Sequence, residues 1–186
     1  RLLRNAGYRT AHYGKWHLST HAFDNKGAIP EYPAYGYDDA AVYAWNGPNT
    51  RHVVDGTSVE QFKGSGAPHK GGCPEYVTIG AVENALKFIE KNNERPFFIN
   101  LWIHETHTTI AARPEDRIPY LNVPEPEQTY YSAVTRADTQ IGRVLDKLDE
   151  LGLDENTIVV FSSDNGPERS NPNPEQMTYY SRGVTA

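Results

Sequence analysis

Two unbroken apolar runs, "PFFINLWI" at 96–103 and "NTIVVFSS" at 156–163, each follow a long stretch with helical periodicity. A strand that alternates apolar and polar residues keeps one face in water, whereas a continuous run rich in β-branched and aromatic residues is expected to bury both. Before the first run, "TIGAVENALKFIEKNN" places Ile79, Val82, Leu86 and Ile89 at helical spacing, with Thr78 as the expected N-cap. Before the second, "YYSAVTRADTQIGRVLDKLDELG" carries an expected buried stripe of Val134, Ala137, Ile141, Val144, Leu145, Leu148 and Leu151, closed by Gly152 as the C′ residue. Helix, buried strand, helix, buried strand predicts an α/β chain with a largely parallel sheet.

The earlier part of the chain is organised differently. "RLLRNAGY" has the character of the last turns of a helix ending at Gly7, and "YRTAHYG" that of a short strand with Gly14 at its end. From about residue 19 to 76, Gly, Pro, Asn, His and aromatic residues dominate without a sustained period, which predicts a long irregular insertion. Its rings, among them Tyr35, Tyr37, Tyr43 and Trp45, are too numerous for a solvated linker. They suit either stacking on a sugar or packing of a lid.

Bulk properties exclude several functions. The 186 residues amount to one ordinary domain. A net charge of −6 with no Lys/Arg block argues against nucleic acid as a partner. No apolar run approaches the roughly 20 residues of a membrane span. Cys73, in "KGGCPEY", is the only cysteine, so the chain can form neither an internal disulfide nor a cysteine-based zinc site.

In open α/β sheets, ligands collect beyond the carboxyl ends of the strands. Three such ends, "GKWHLS", "HETHTT" and "DNGPE", hold Lys15, His17, His104, His107, Asp164 and Asn165. In extended backbone Lys15 and His17 fall on the same side, and a lysine among aromatic rings calls for an anionic partner. Asp164 and Asn165 offer hard oxygen ligands that suit Ca²⁺ or Mg²⁺, although Asp-Asn-Gly is also a common turn. His104 and His107 do not form the HExxH zinc helix; as a pair after a strand they fit loop structure or catalysis equally.

The same segments carry a family likeness. "GYRTAHYGKWHLS" resembles the second signature of the type I sulfatases, "RPFFINLWIHETHTTI" is similar to that family's Pro-Phe-Phe strand ending in a histidine, and "TIVVFSSDNGPE" is similar to its metal-binding strand. The resemblance implies an alkaline-phosphatase-like α/β/α sandwich with a largely parallel central sheet, of which this chain is a part. It implies a sulfuric ester hydrolase acting on a sulfated small molecule or glycan, with a carbohydrate sulfate expected. Lys15 is expected to hold the sulfate, His17 to assist the catalytic aldehyde hydrate, and His107 to contact the ester and protonate the departing alcohol. His104 is expected on the substrate side, behind them. Asp164 and Asn165 match two ligands of a calcium ion, with Mg²⁺ the less favoured metal.

Members of this family use a formylglycine made from a Cys/Ser-x-Pro/Ala-x-Arg motif by a formylglycine-generating or anaerobic maturase. That motif does not occur in these 186 residues, and Cys73 lies in a different context. The resemblance therefore implies that 1–186 is an internal part of a sulfatase catalytic domain, inactive alone, from a periplasmic, secreted or lysosomal parent. Two alternatives stay open: a phosphodiesterase or phosphonate monoester hydrolase of the same superfamily, and a non-catalytic glycan-binding relative.

Overall fold

Glycine sets the first boundary. Gly7, at φ +88°, closes helix α1 (Leu2–Asn5) and turns the chain into strand β1 (Arg9–Lys15). The computed structural model describes residues 1–16, 32–43, 49–54, 57–63, 74–107, 110 and 112–164. After β1 come the short helix α2 (Tyr32–Tyr35) and the strands β2 (Asp39–Tyr43), β3 (Asn49–Val54) and β4 (Thr57–Lys63). Helix α3 (Pro74–Asn92), strand β5 (Phe97–Trp102), the single turn α4 (Pro114–Arg117) and helix α5 (Glu125–Glu150) complete the order.

The strands form one sheet in the order β4-β3-β2-β1-β5. β1 runs parallel to both of its neighbours, pairing Ala11 with Asp39 on one side and Ala11 with Ile99 on the other. β3 and β4 add an antiparallel ribbon at the far edge. The stretch expected to be irregular between 19 and 76 thus supplies β2, β3 and β4. Strand β2, "DAAVY", is too short and too alanine-rich to register as a strand by period. The ribbon, by contrast, had a usable signal in Asp55-Gly56 between two runs of β-forming residues.

Alternation along β1 divides its side chains between two faces. Ala11 and Tyr13 turn toward α3, where with Ala41 they meet Ala81, Ala85 and Phe88, and Phe97, Ile99 and Leu101 close the cluster. His12 turns the other way, toward Trp16, Tyr37 and Trp102. Gly14, at φ +108°, lies so close to β5 that an added Cβ would sit 2.0 Å from the carbonyl oxygen of Trp102. Only glycine fits there, and the close approach locks the end of β1 against the end of β5.

Three expectations need correction. Helix α3 begins at Pro74, where a missing N–H costs nothing, so Thr78 is not its N-cap but lies one turn inside and fully buried. Helix α5 buries only part of the predicted stripe: Ala137 and Leu148 are buried and Ile141, Val144 and Leu151 partly so. Val134 and Leu145 are exposed, and Gln128, Ser132, Arg136 and Gln140, at steps of four, are buried together with Ala133, Ala137 and Leu148. The third correction concerns "NTIVVFSS", expected as a buried strand. Residues 157–163 form no ladder among the described residues, and Ile158 is 92% and Phe161 80% exposed. An apolar run states that burial is wanted but does not supply the neighbouring backbone edge that a strand must pair with.

Candidate functional site

Lys15 is the last residue of β1 and half-buried. The register that pairs Gly14 with Trp102 places the residue after each at the same sheet edge, so Lys15 and the segment beginning at Ile103 leave side by side. His104 follows at once, only 5% exposed, and the His107 ring lies 4.9 Å from its ring at an interplanar angle of 34°. A backbone hydrogen bond from the His107 N–H to the His104 carbonyl, at 2.9 Å, closes the turn between them.

The electrostatics of this edge follow from burial and charge. Burial first, then the neighbouring His107 and the Lys15 ammonium, push the His104 pKa down to about 4. His104 is therefore neutral near pH 7, and Lys15 is close enough to act on it. Exposed His107 stands over this buried ring. One ammonium, one neutral buried imidazole and one exposed imidazole form a site that can attract an anion and exchange a proton with it.

Lys15, His104 and His107 are thus brought to one edge of the sheet. His17 lies outside the described residues, as does Asn165. Asp164 is exposed at the end of the 157–163 segment. Its carboxylate is a hard oxygen donor of the kind calcium takes, and the remainder of a six- to eight-oxygen shell would come from other residues. Among the described residues, no group of three or more His, Cys, Asp or Glu side chains is placed to hold a metal. Of the aromatic residues expected near a sugar, Tyr37 is engaged in packing: it lies 5.3 Å from His12 and accepts a hydrogen bond from Asn100 Nδ2 at 2.6 Å. Tyr35 is 39% exposed and meets Trp16 edge-on at 4.9 Å. Trp45 and the side chain of Tyr43 lie outside the described residues.

Sequence reasoning missed the acidic residue between the two histidines. The Glu105 side chain is buried, accepts a hydrogen bond from the Thr78 hydroxyl, and pairs with Arg136 Nη2 at 3.2 Å. Arg136 reaches on through Nη1 to Asp116 at 3.0 Å, and Arg113 Nη2 holds the same carboxylate at 2.6 Å. Burial pushes the Asp116 carboxyl up, but hydrogen bonds from Arg113 and Arg136 outweigh it and hold the group below the usual carboxylate range. Glu105 lies in a segment already singled out, but the expected apolar stripe of α5 leaves out Arg136, so the need of a buried arginine for a carboxylate partner shows only in the structure.

Comparison with known proteins adds the family context. The family model described as Sulfatase matches residues 1–183. The ulvan-active sulfatase of Formosa agariphila is 29% identical over 89% of this chain and 34% of its own length. The N-acetylgalactosamine-6-sulfatase of Canis lupus familiaris is 30% identical over 89% of this chain and 32% of its own. The chain therefore spans about a third of the length of these curated relatives. A Bacteroides thetaiotaomicron structure, from work on the metabolism of multiple glycosaminoglycans, superposes with a TM-score of 0.69 at 20% identity, covering 99% of this chain and 48% of that one. At that identity the likeness concerns the fold, which is the α/β fold of the alkaline-phosphatase type.

Proposed function

Because this chain belongs to the sulfatase family, we propose that the whole protein hydrolyses a sulfate ester on a carbohydrate. The observation that carries this reading is the shared exit of Lys15 and the His104–His107 turn at the Gly14–Trp102 end of the sheet. The names of relatives that act on ulvan or on N-acetylgalactosamine 6-sulfate favour a sugar sulfate over other esters.

The roles follow from chemistry. The Lys15 ammonium neutralises a sulfate oxygen and is best placed to bind the charged end of the substrate. His107, exposed above His104, donates a proton to the departing sugar oxygen, which is a poor leaving group without one. His104, held neutral beneath it, adds no charge that would compete with Lys15 and supports the His107 ring. His17 is the candidate base for the return half of the reaction. A formylglycine nucleophile, installed by a maturase and lying outside these residues, and a calcium ion held by Asp164 and Asn165 would supply the attacking oxygen and further neutralise the sulfate.

The test is sulfate release by the full-length protein from 6-sulfated N-acetylgalactosamine, with 4-nitrophenyl sulfate and 4-nitrophenyl phosphate as references. Release from both sulfates, reduced about 10²-fold by Lys15→Ala, is expected. Turnover of the phosphate alone would assign the protein to the phosphoester hydrolases. Sugar binding without turnover of any of the three would assign it to the non-catalytic relatives.

A further inference from the structure

The Glu105–Arg136 pair is buried on both sides, with side-chain exposures of 6% and 2%. An ion pair so removed from water gains little net stability over well-packed apolar residues, because desolvating both charges offsets most of their attraction. What such a pair fixes well is geometry, and here the geometry concerns the turn that bears the histidines. Glu105 follows His104 directly, and the turn closes through the His107 N–H to the His104 carbonyl. The Glu105 carboxylate is held from two helices at once, by the Thr78 hydroxyl of α3 and the Arg136 guanidinium of α5, and the His104 N–H points at the same Thr78 hydroxyl at 3.4 Å. Arg136 is itself braced by Asp116, which Arg113 grips with two hydrogen bonds.

We propose that Arg136 is a positioning residue for the histidine pair: acting through Glu105, it holds the 104–107 turn so that His107 is presented to the substrate in one orientation. This rests on the reading of His107 as the proton donor. Arginine suits the task because its planar fork reaches Glu105 through Nε and Nη2 and Asp116 through Nη1, which a lysine ammonium at one point cannot reproduce. Arg136 touches no reacting atom, so its effect is expected on proton donation and not on sulfate binding.

The test uses Arg136→Lys, which retains the charge and is expected to fold, alongside Arg136→Met and the double variant Glu105→Gln/Arg136→Met in the full-length protein. For Arg136→Lys, kcat on the sugar sulfate falls about 10-fold and for Arg136→Met about 10²-fold, while KM changes little and 4-nitrophenyl sulfate turnover falls much less. The double variant recovers part of the loss, since it leaves no bare carboxylate behind. Independently of turnover, the His107 ring resonances and their pH titration shift in Arg136→Lys. Equal losses on both substrates with unshifted His107 resonances, or wild-type kcat in Arg136→Lys, would overturn the proposal. A wild-type protein inactive on every sulfate would defeat the functional reading instead, and the His107 resonances would still decide whether Arg136 positions the turn.

Discussion

The imidazole of His12 hydrogen-bonds through Nε2 to the backbone carbonyl of Lys15 at 3.0 Å. A carbonyl can only accept, so Nε2 carries the proton and the ring reaches three residues ahead along its own strand. Burial, only partly offset by this hydrogen bond, pushes the His12 pKa down to about 4, which keeps the ring neutral. Its edges meet Trp16 at 5.0 Å and Trp102 at 4.6 Å. His12→Phe keeps an aromatic ring but orphans the Lys15 carbonyl, and is expected to cost about 1–3 kcal/mol. His12→Gln retains a donor and should lose less of that bond. Thermal melts of both variants check this, and equal losses would mean the hydrogen bond contributes nothing.

Two buried histidines give the fold an acid limit. His12 and His104 both titrate near 4 when folded and near 6.5 when unfolded. Each folded pKa is lowered, so the unfolded chain binds more protons in that window. Stability is then fully present above about pH 6.5 and falls as the pH drops toward 4, by up to about 1.4 kcal/mol per pH unit for each histidine. Denaturant melts from pH 7.5 to 4.5 measure the slope. Replacing His104 by Gln should reduce it by about half, and an unchanged slope would remove His104 from the account.

Two glycines respond oppositely to an added methyl group. At Gly14 the Cβ would lie 2.0 Å from the Trp102 carbonyl oxygen, in a backbone conformation unfavourable to other residues. Gly14→Ala should therefore force β1 and β5 apart and cost several kcal/mol, on the order of the largest single-residue losses. Gly142, inside α5, has nothing beyond its own stretch of helix within 4 Å of an ideal Cβ. Gly142→Ala should stabilise by about 0.5–1 kcal/mol. Melting temperatures that move the same way for both would contradict this.

His107 and Lys15 should separate by leaving group. A sugar alcohol needs a proton as the sulfur–oxygen bond breaks, whereas a nitrophenolate departs readily without one. His107→Ala should cut turnover of the sugar sulfate by about 10² or more and that of 4-nitrophenyl sulfate much less. Lys15→Ala should lower both. Equal losses in the His107 variant would show that this residue binds sulfate and donates no proton.

Asp164 is expected to couple metal to stability. In the full-length protein, chelation of calcium should lower Tm, and Asp164→Ala should abolish the calcium-dependent rise. A rise that survives the substitution intact would exclude Asp164 from the metal's ligands.

Legibility in the sequence varied by element, for physical reasons. Helices α3 and α5, with their long apolar repeats, and the strands ending in Lys15 and Trp102 were visible because burial leaves a period or a continuous run. Gly14 was read as the end of its strand, yet β1 runs through it to Lys15, and what requires glycine there is the close approach of the Trp102 carbonyl. The buried side of α5 was read only in part, at Ala137 and Leu148, because Ser132, Arg136 and Gln140 are polar residues turned inward, each satisfied by partners that no periodicity reveals. The partners of Arg136 come from another loop and from α4, a long way off in the chain. The "NTIVVFSS" run was read as a strand from composition alone, yet pairing is a property of two segments. Lys15, His104 and His107 were expected together beyond the strand ends, but how they sit side by side depends on the β1–β5 register, which neither strand encodes by itself.

On the proposed function, the ladder between β1 and β5 would make catalytic competence a global property of the molecule. Lys15 and His104 stand far apart in the chain, and their proximity is maintained by consecutive pairs from Arg9–Phe97 to Gly14–Trp102. Opening the sheet between β1 and β5 would separate the two groups. Activity should therefore vanish in step with the cooperative collapse of the core, making turnover itself a sensitive gauge of how much of the population is native.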